Sequence, residues 1–344
     1  MICLSAIDCV GKRSRSEIMK MCFLSLNSYP FLTGINLGYA GGAEVQQVHL
    51  GKELANRGYD VCFVTYRHGK NQIENVHGIE IVKTYEREKA DAGMNSLLKL
   101  KSIFSSLKKA KADIYFHSAG STGVLPLFCF LNSKKFIYRI PSDAVVTGKP
   151  LYGNYGFKQK VLDVLEIKRA NAVTSQTDFQ RKILKERFKV ESVVIRNGLT
   201  LSYAACQKPS PPVVLWVGSI SSVKNPDIFV KLVKSIPDAS FEMVGGKTEE
   251  YQIYDNIKNA TKKLPNFKFC GFVPYHEVDE YFKRASIFVN TSSIEGFPNT
   301  FLQAWAHYVP TISLNVDPDG IIQKNKLGFC SKTFKQLVSD VKNC

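Results

Sequence analysis

The chain has 344 residues, of which 44% are hydrophobic and 22% are charged. These values are ordinary for a globular protein. The length is too great for one small core and suits about two domains of ~150 residues. The net charge of +16 favours acidic partners such as nucleotides, an anionic membrane surface or nucleic acid. No apolar run approaches the ~20 residues that a membrane-spanning helix needs, which excludes such a helix.

The N-terminal residues 1–19 are expected to form a tail or to reflect a misplaced start. Their apolar part is short, contains Asp8 and precedes the basic cluster, an order that is wrong for a signal peptide. The nine cysteines include no C-x-x-C pair, and several lie in or beside apolar runs. We therefore predict a reducing, cytoplasmic compartment, without a zinc site or a disulfide framework.

The first half of the chain alternates predicted strands and helices. Residues 21–26 form a buried strand, a glycine-rich loop follows, and residues 43–58 have helical periodicity that ends at Gly58. A strand at 59–66 completes a β-loop-α-β unit, the building block of a doubly wound parallel sheet. The pattern continues with strands predicted at 79–83, 112–116, 135–139, 172–175 and 193–195, and with helices at 95–109, 155–170 and 178–188.

A second α/β series follows residues 201–212 (LSYAACQKPSPP), whose polar, proline-rich composition indicates a linker. The expected domains are therefore 20–200 and 213–344, two Rossmann-like halves with a cleft between them. The final helix, 334–344, ends early, so we expect the second domain to be short or truncated. Its other elements are strands at 213–218, 240–245, 267–273, 286–292 and 311–315, and helices at 226–235, 251–263, 276–284 and 300–306.

The stretch SIEGFPNTFLQAWA (293–306) is the strongest candidate site. Glu295 follows a predicted strand, at the sheet edge where α/β proteins bind ligands. Gly296 permits close backbone approach, and the helix start offers free N–H groups and a positive dipole end to phosphate. Gln303, eight residues after Glu295, is placed to reach sugar hydroxyls. The alternative is that Glu295 only caps the helix, and the motif alone leaves both open.

Other segments join this stretch in a recognisable order: GYAGGAE (38–44), RNGL (196–199), VLWVGSISSVKNP (214–226) and CGFVPYHEVDEYFKRASIFVNTS (270–292). Together they resemble the family-4 retaining glycosyltransferases with their E-x7-E region, from about residue 20 to about residue 332. The resemblance implies the GT-B fold, two Rossmann-like domains facing each other across a cleft. It also implies a hexosyltransferase-type enzyme that moves a sugar from a nucleoside diphosphate sugar to an acceptor hydroxyl, in polysaccharide or glycolipid assembly.

The resemblance assigns roles to individual residues. It implies that Lys224 pairs with the donor diphosphate and that Glu295 contacts the donor sugar hydroxyls. Gln303 stands where the second acid of the family holds the ribose. The donor is a substrate, and no further cofactor or metal is implied. The other donor-site candidates are Gly41 and Gly42 near the phosphates, Arg196, the base loop Gly271, Phe272 and Val273, and the segment Gly296, Phe297, Pro298 and Asn299.

Two positions depart from the family pattern. Gln303 replaces an acid, but an amide still donates and accepts hydrogen bonds, so we expect ribose binding to survive. Ser219 stands where similar enzymes often place Arg, and losing one charged stabiliser raises a barrier by ~2.7–4 kcal/mol. Lys224 remains, and Arg196 or Lys247 are candidates to compensate. Ser219 also motivates the alternative of a non-catalytic nucleotide-sugar-binding relative or an inactive fragment.

His117 ends the strand DIYFH and has two open interpretations. In the family, a histidine near this strand end often lines the acceptor side, which would make it catalytic. The alternative is a structural histidine at a strand terminus. Arg139, Ser142 and Asp143 lie at the end of the next strand and are also expected to face the cleft.

Two further matches carry no chemistry. GGKT (245–248) resembles the end of a P-loop, but Phe241 stands where that pattern needs Gly. DPD (317–319) resembles a metal-binding D-x-D, but Pro318 and Gly320 indicate a turn. We predict no metal site.

The basic segment 97–112 (LLKLKSIFSSLKKAKA) also has two interpretations. Its apolar stripe either packs on the sheet or contacts an anionic membrane surface that carries a lipid-linked acceptor, which would make the protein peripheral on the inner face of the membrane. Binding of nucleic acid is suggested by charge alone, without a recognition motif, so we expect none. The stripe residues are Leu97, Leu100, Phe104 and Leu107.

Overall fold

The computed structural model describes residues 19–38, 41–149, 156–199, 208–248 and 250–344. The predicted tail, apart from residue 19, and most of the predicted linker lie outside these ranges. The chain divides into two compact units: the first holds most residues up to Arg196, and the second most residues from Asn197 onward.

The first unit is built on an eight-stranded sheet. Its order is β3-β4-β2-β1-β5-β6-β7-β8, parallel except for the antiparallel edge strand β3. Strand order reverses between β1 and β5, the position at which open α/β sheets bind ligands beyond the carboxyl ends of their strands. The strands are β1 (Lys20–Leu24), β2 (Asp60–Thr65), β3 (Ile73–Val76), β4 (Ile79–Lys83), β5 (Ile114–His117), β6 (Lys135–Arg139), β7 (Ala172–Ser175) and β8 (Ser192–Val194).

The second unit contains a six-stranded sheet that is parallel throughout. Its order, β11-β10-β9-β12-β13-β14, is the doubly wound order of a Rossmann fold, with the switch point between β9 and β12. The prediction of two Rossmann-like α/β halves is therefore confirmed. The strands are β9 (Val213–Val217), β10 (Ser240–Val244), β11 (Phe267–Gly271), β12 (Ile287–Asn290), β13 (Thr311–Ser313) and β14 (Gly328–Cys330).

Helices alternate with the strands in both units. In the first they are α1 (Tyr29–Thr33), α2 (Gly42–Asn56), α3 (Arg87–Asp91), α4 (Ser96–Ala110), α5 (Val124–Leu131), α6 (Asp143–Thr147), α7 (Phe157–Arg169) and α8 (Asp178–Ile183), the last continued by the π-helical turn Leu184–Phe188. In the second they are α9 (Pro226–Ser235), α10 (Tyr251–Thr261), α11 (Val278–Arg284), α12 (Asn299–Ala306), α13 (Ile321–Lys324) and α14 (Phe334–Asn343).

Each sheet is covered on both faces, so its central strands are continuous apolar runs rather than alternating ones. In β1 four successive residues are buried, and Phe23 stacks on Phe63 of β2 with ring centroids 4.7 Å apart. In the second unit Phe229 of α9 contacts Phe241 and Phe267 edge-on. These cores fix the strand ends from which the candidate site residues project.

The basic helix α4 uses most of its apolar stripe for folding. Leu107 is fully buried, and Leu100 and Phe104 pack against the core of the first unit, whereas Leu97 is 66% exposed. This arrangement favours the interpretation of an ordinary peripheral helix. Among the described residues, no helix combines the length and apolar character that crossing a bilayer requires.

Candidate active site

Two loops of the second unit meet at its switch point, one after β9 and one after β12. Ser293 donates from its backbone N–H to the carbonyl of Val223 over 2.9 Å, and the Thr291 hydroxyl donates to the carbonyl of Lys224 over 2.6 Å. The indole N–H of Trp216, in β9, donates to the same hydroxyl at 2.9 Å. The backbones on both sides of the switch point are therefore held together.

Lys224 and Glu295 project from these two loops and form an ion pair. Their side chains are 27% and 14% exposed, so both can be reached from solvent although the pair is largely shielded. Lys224 ends the short helical turn Ser222–Lys224, and Asn225 then adopts a left-handed conformation with φ of 46°. An ammonium can receive an anion here, and a carboxylate can accept hydrogen bonds from hydroxyls.

Glu295 does not cap helix α12. The residue at the N-cap is Pro298, and no side chain caps the helix. The backbone ahead of the helix is held by Asn197, whose side-chain amide donates to the carbonyl of Phe297 and to the side-chain oxygen of Asn299, each over 2.6 Å. Asn197 thus fixes the segment Gly296, Phe297, Pro298 and Asn299, which directly follows Glu295 in the sequence, and its role in donor binding stays a prediction.

The loop that carries Lys224 is also supported by Glu250, which the sequence did not single out. Its carboxylate accepts from the backbone N–H of Ser222 at 2.7 Å and from the Ser222 hydroxyl at 2.8 Å. Nothing in the sequence distinguishes this acid, since it lies 28 residues from Ser222. The contact forms because the fold brings Glu250, the N-cap residue of α10, to the loop after β9.

The Gly245–Gly246 pair, part of the apparent P-loop, has a structural role. A Cβ atom on Gly245 would collide with the carbonyl oxygen of Gly218 and lie 2.7 Å from Ile220 Cδ1. The backbone of Ile220 donates to the carbonyl of Gly246 at 3.1 Å. Glycine is required here because the loop after β10 packs directly on the loop after β9, which carries Ser219 and Lys224.

The predicted ribose ligand Gln303 is buried, at 3% exposure. Its amide donates to Asp279 Oδ1 of α11 over 3.4 Å, and His307 Nε2 lies 3.8 Å from the same oxygen. Burial lowers the pKa of His307. Asp279 thus orients the Gln303 amide, a support that the sequence did not indicate.

The predicted base loop is only partly free for a ligand. Gly271 has a φ of +69° and accepts a hydrogen bond from the backbone of Gly245 at 2.8 Å. Phe272 packs beside Gly246, where an added Cβ would lie 2.9 Å from its ring. Val273 is half-buried, and its side chain packs against the core of the second unit.

In the first unit, Gly41 and Gly42 form the start of α2. Gly41 is the N-cap and Gly42 the first helical residue, and a Cβ on Gly41 would collide with the carboxylate of Glu44. Gln47, one turn further, donates to the Ser25 hydroxyl at 3.0 Å and to the carbonyl of Ser118 at 3.1 Å. It links α2 to the loops after β1 and β5, on both sides of the first switch point.

His117 is buried and contacts Glu166, an acid that the sequence analysis did not single out. Its Nδ1 lies 3.1 Å from Glu166 Oε2 of α7, and the other carboxylate oxygen accepts from the backbone N–H groups of Thr122 and Gly123 at 2.8 and 3.0 Å. Glu166 is fully buried, so the structure gives His117 a fixed partner whichever of its two interpretations holds. One helical turn earlier, burial and the charge of Glu166 raise the pKa of Asp163 to about 6, although a hydrogen bond from Ser121 opposes them.

The remaining predicted residues make contacts within their own units. Arg196 lies 3.1 Å from Asp178 in the first unit. Lys247 lies 3.6 Å from Asp255 and above the ring of Tyr254, so it is held on α10. Ser219 is half-buried in the loop after β9.

Residues at the end of β6 and just after it make local contacts. The Ser142 hydroxyl caps α6 by accepting from Ala144, and Asp143 accepts from Gln180 at 2.8 Å. Arg139 is buried at 6% exposure. Among the described residues, no three His, Cys, Asp or Glu side chains cluster as metal ligands do, and the expectation of a metal-free site stays a prediction.

Comparisons with known proteins cover most of the chain. Residues 40–203 match the family model "Glycosyltransferase Family 4", and residues 206–341 match "Glycosyl transferases group 1". An uncharacterised glycosyltransferase of Haemophilus influenzae is 26% identical over 302 residues, which are 83% of this chain and 80% of that protein. An alpha-monoglucosyldiacylglycerol synthase of Acholeplasma laidlawii is 24% identical over 337 residues, covering 86% of this chain and 83% of that protein.

A solved structure has a fold similar to that of this chain. Sucrose-phosphate synthase from Thermosynechococcus elongatus aligns with a TM-score of 0.76 at 15% identity, over 94% of this chain and 89% of that chain. At this level of identity the likeness shows the fold. The α/β fold with its two sheets therefore has a counterpart among solved structures.

Proposed function

Because the chain belongs to the glycosyltransferases of the GT-B fold, we propose that it moves a sugar from a nucleoside diphosphate sugar to an acceptor hydroxyl with retention of configuration. The observation that carries this proposal is the Lys224–Glu295 ion pair at the switch point of the second sheet. An ammonium and a carboxylate side by side match the two ends of such a donor: the first a diphosphate, the second the sugar hydroxyls.

The proposed chemistry is positioning together with charge stabilisation. Glu295 would accept hydrogen bonds from the sugar hydroxyls and hold the ring. Lys224 would neutralise the diphosphate as the bond to the anomeric carbon breaks. The backbone N–H groups at the start of α12 would add partial positive charge. The departing phosphate oxygen would take the proton of the acceptor hydroxyl. The acceptor oxygen would bond to the anomeric carbon on the face from which the diphosphate leaves.

The acceptor class is proposed more broadly, as a carbohydrate or a lipid-linked saccharide in polysaccharide or glycolipid assembly. The similarity to an enzyme named as a glucosyldiacylglycerol synthase supports a lipid-linked acceptor as one candidate. A cytoplasmic location is supported by the free thiols of Cys22, Cys62, Cys129, Cys270, Cys330 and Cys344. No cofactor besides the donor substrate is proposed.

A second candidate is a nucleotide-sugar-binding relative that does not turn its donor over. Ser219 favours it, because a hydroxyl supplies no charge to the leaving diphosphate. Lys247, one candidate to compensate for that charge, lies in an exposed ion pair with Asp255. Binding without turnover would distinguish this candidate from an active transferase.

Both candidates are tested by measuring the thermal unfolding midpoint with UDP, GDP, ADP and their common nucleotide sugars. A ligand at 100 times its dissociation constant adds ~2.7 kcal/mol to stability, which moves the midpoint by several degrees. We expect a shift for one base, with a further shift from the attached sugar that Glu295→Ala abolishes. Product analysis with that donor then separates turnover from binding. No shift with any nucleotide, from a chain that unfolds cooperatively, would rule out the donor site.

A further inference from the structure

Helix α7 exposes four of its six apolar residues and buries both of its acids. Phe157 is 83% exposed, Val161 48%, Val164 43% and Leu165 36%, a spacing that places all four on one helical face. Asp163 and Glu166 point inward. This is the reverse of an ordinary surface helix, whose apolar face is turned to the core.

The charged residues that α7 does expose are all cationic. Lys158, Lys160, Lys168 and Arg169 are exposed, and the two acids of the helix are those that bind Ser121, His117 and the loop at 122–123 inside the unit. The outer side of α7 therefore consists of apolar and cationic side chains.

Helix α5 packs beside α7 and exposes apolar residues of its own. Phe130 is 76% exposed, Leu131 62% and Leu127 44%. The two helices touch at Gly123, the N-cap of α5, where a Cβ would lie 3.0 Å from a methyl of Leu162. We define the α5–α7 surface by its exposed apolar residues Leu127, Phe130, Leu131, Phe157, Val161, Val164 and Leu165.

We propose that the α5–α7 surface docks on an anionic lipid bilayer. Apolar side chains flanked by Lys and Arg are the composition of helices that lie in the membrane interface, where the apolar groups enter the acyl boundary and the cations meet lipid phosphates. Exposed apolar side chains in such number on two neighbouring helices are typical of an interaction site.

Charge selects the bilayer over a second copy of the chain. If two such surfaces met face to face, the four cations of one α7 would oppose those of the other, and like charges across an interface disfavour association. A bilayer rich in anionic lipid offers both an apolar interior and a negatively charged surface. This docking does not involve the Lys224–Glu295 pair, which lies in the second unit.

The test is co-sedimentation of the full chain with vesicles of phosphatidylcholine alone and of phosphatidylcholine with 30% phosphatidylglycerol. We expect binding to the mixed vesicles, weakened in 0.5 M salt because screening shortens the reach of the charges. The double variant Phe130→Ser/Phe157→Ser should bind at least about tenfold more weakly. Tyr308→Ser is the matched control, since Tyr308 is an 81% exposed aromatic in the second unit.

Two measurements keep the outcome decisive. Thermal unfolding should be unchanged in the double variant, because both phenylalanines are mostly solvated. A charge variant, Lys158→Gln/Lys160→Gln, should also lose binding to mixed vesicles. Equal binding by the wild type and both variants, or no binding by the wild type, would overturn the proposal. So would a dimer of the wild type in gel filtration that the double variant abolishes.

Discussion

Lys224 and Glu295 are 71 residues apart in the chain, yet their side chains form an ion pair because β9 and β12 are neighbours in the sheet. Each follows one of the two strands that flank the switch point. Thr291 ties the two loops together through the carbonyl of Lys224. The pair therefore results from sheet topology. Replacing its two members should have opposite effects on binding of the nucleoside diphosphate.

Glu295→Gln should strengthen binding of the free nucleoside diphosphate and reduce sugar transfer. The substitution removes a negative charge beside the proposed diphosphate position and releases Lys224 from its partner, so we expect several-fold tighter binding by calorimetry. Turnover should fall by about 10²-fold or more, since positioning of the sugar is lost. Weaker diphosphate binding in this variant would contradict the proposed roles.

Lys224→Gln should have the opposite effect on the diphosphate. Loss of a single stabiliser of developing charge lowers turnover by about 10²–10³-fold. We expect the affinity for the nucleoside diphosphate to fall as well, and the affinity of wild type to decrease with salt more steeply than that of the variant. Lys231→Gln, which removes an exposed lysine on α9, is the control for net charge. Equal salt dependence of wild type and Lys224→Gln would argue against contact with phosphate.

Gly245→Ala should destabilise the second unit and weaken donor binding together. The added methyl would collide with the Gly218 carbonyl, a backbone atom that cannot rotate away, and displace the loop that carries Lys224. Overpacking of this kind costs ~1–3 kcal/mol of unfolding free energy. Chemical denaturation and nucleotide titration measure the two effects. Gly120→Ala, at a position with no atom within 4 Å of the added carbon, should change neither.

Most strands, and the two loops that carry Lys224 and Glu295, could be predicted because their signals are local. Continuous apolar runs define β1, β6 and β9, and the motifs around Lys224 and Glu295 lie in single segments. The edge strands β3 and β14 were missed: IENV alternates exposed and half-buried residues, and β14 has only three residues. The short helices α1, α3 and α6, of five residues each, are too brief for a helical period to show.

The supports of the site could not be predicted because they arise from tertiary contacts. Asn197 reaches residues that are 100 and 102 positions away, and Glu166 reaches His117 across 49. The outer face of α7 was hidden for a different reason. An apolar stripe in a sequence predicts a core-facing helix side, and only the structure shows that the buried side of α7 is the acidic one.

Glu166→Ala should be strongly destabilising. It leaves the backbone N–H groups of Thr122 and Gly123 and the imidazole of His117 without their buried acceptor. Each unsatisfied buried donor costs ~1–3 kcal/mol, so a loss of several kcal/mol is expected in denaturant unfolding. Glu186→Ala, at an acid that is 56% exposed, should have little effect. Similar stability of the two variants would show that the Glu166 contacts are not formed in solution.

The raised pKa of Asp163 predicts a pH-dependent stability with a definite sign. An unfolded Asp titrates near ~3.9, whereas burial raises the folded pKa to about 6. The folded state therefore binds the proton of the Asp163 carboxyl more tightly than the unfolded state does. The stability that this protonation contributes is complete below about pH 4 and is lost as pH rises through about 6. With ~1.4 kcal/mol per pKa unit, the loss is at most about 3 kcal/mol. Asp163→Asn keeps an acceptor for Gln159 and removes the titration.

Unfolding free energies of wild type and Asp163→Asn, measured from pH 4 to pH 8, should thus diverge as pH rises, with the variant becoming relatively more stable. Asp227→Asn, at a carboxylate that is 62% exposed on α9, controls for the removal of one negative charge. Parallel curves for wild type and Asp163→Asn would mean that Asp163 is hydrated in solution. Divergence in the opposite direction would mean that its charged form is stabilised by the fold, because a lowered pKa makes stability rise with pH.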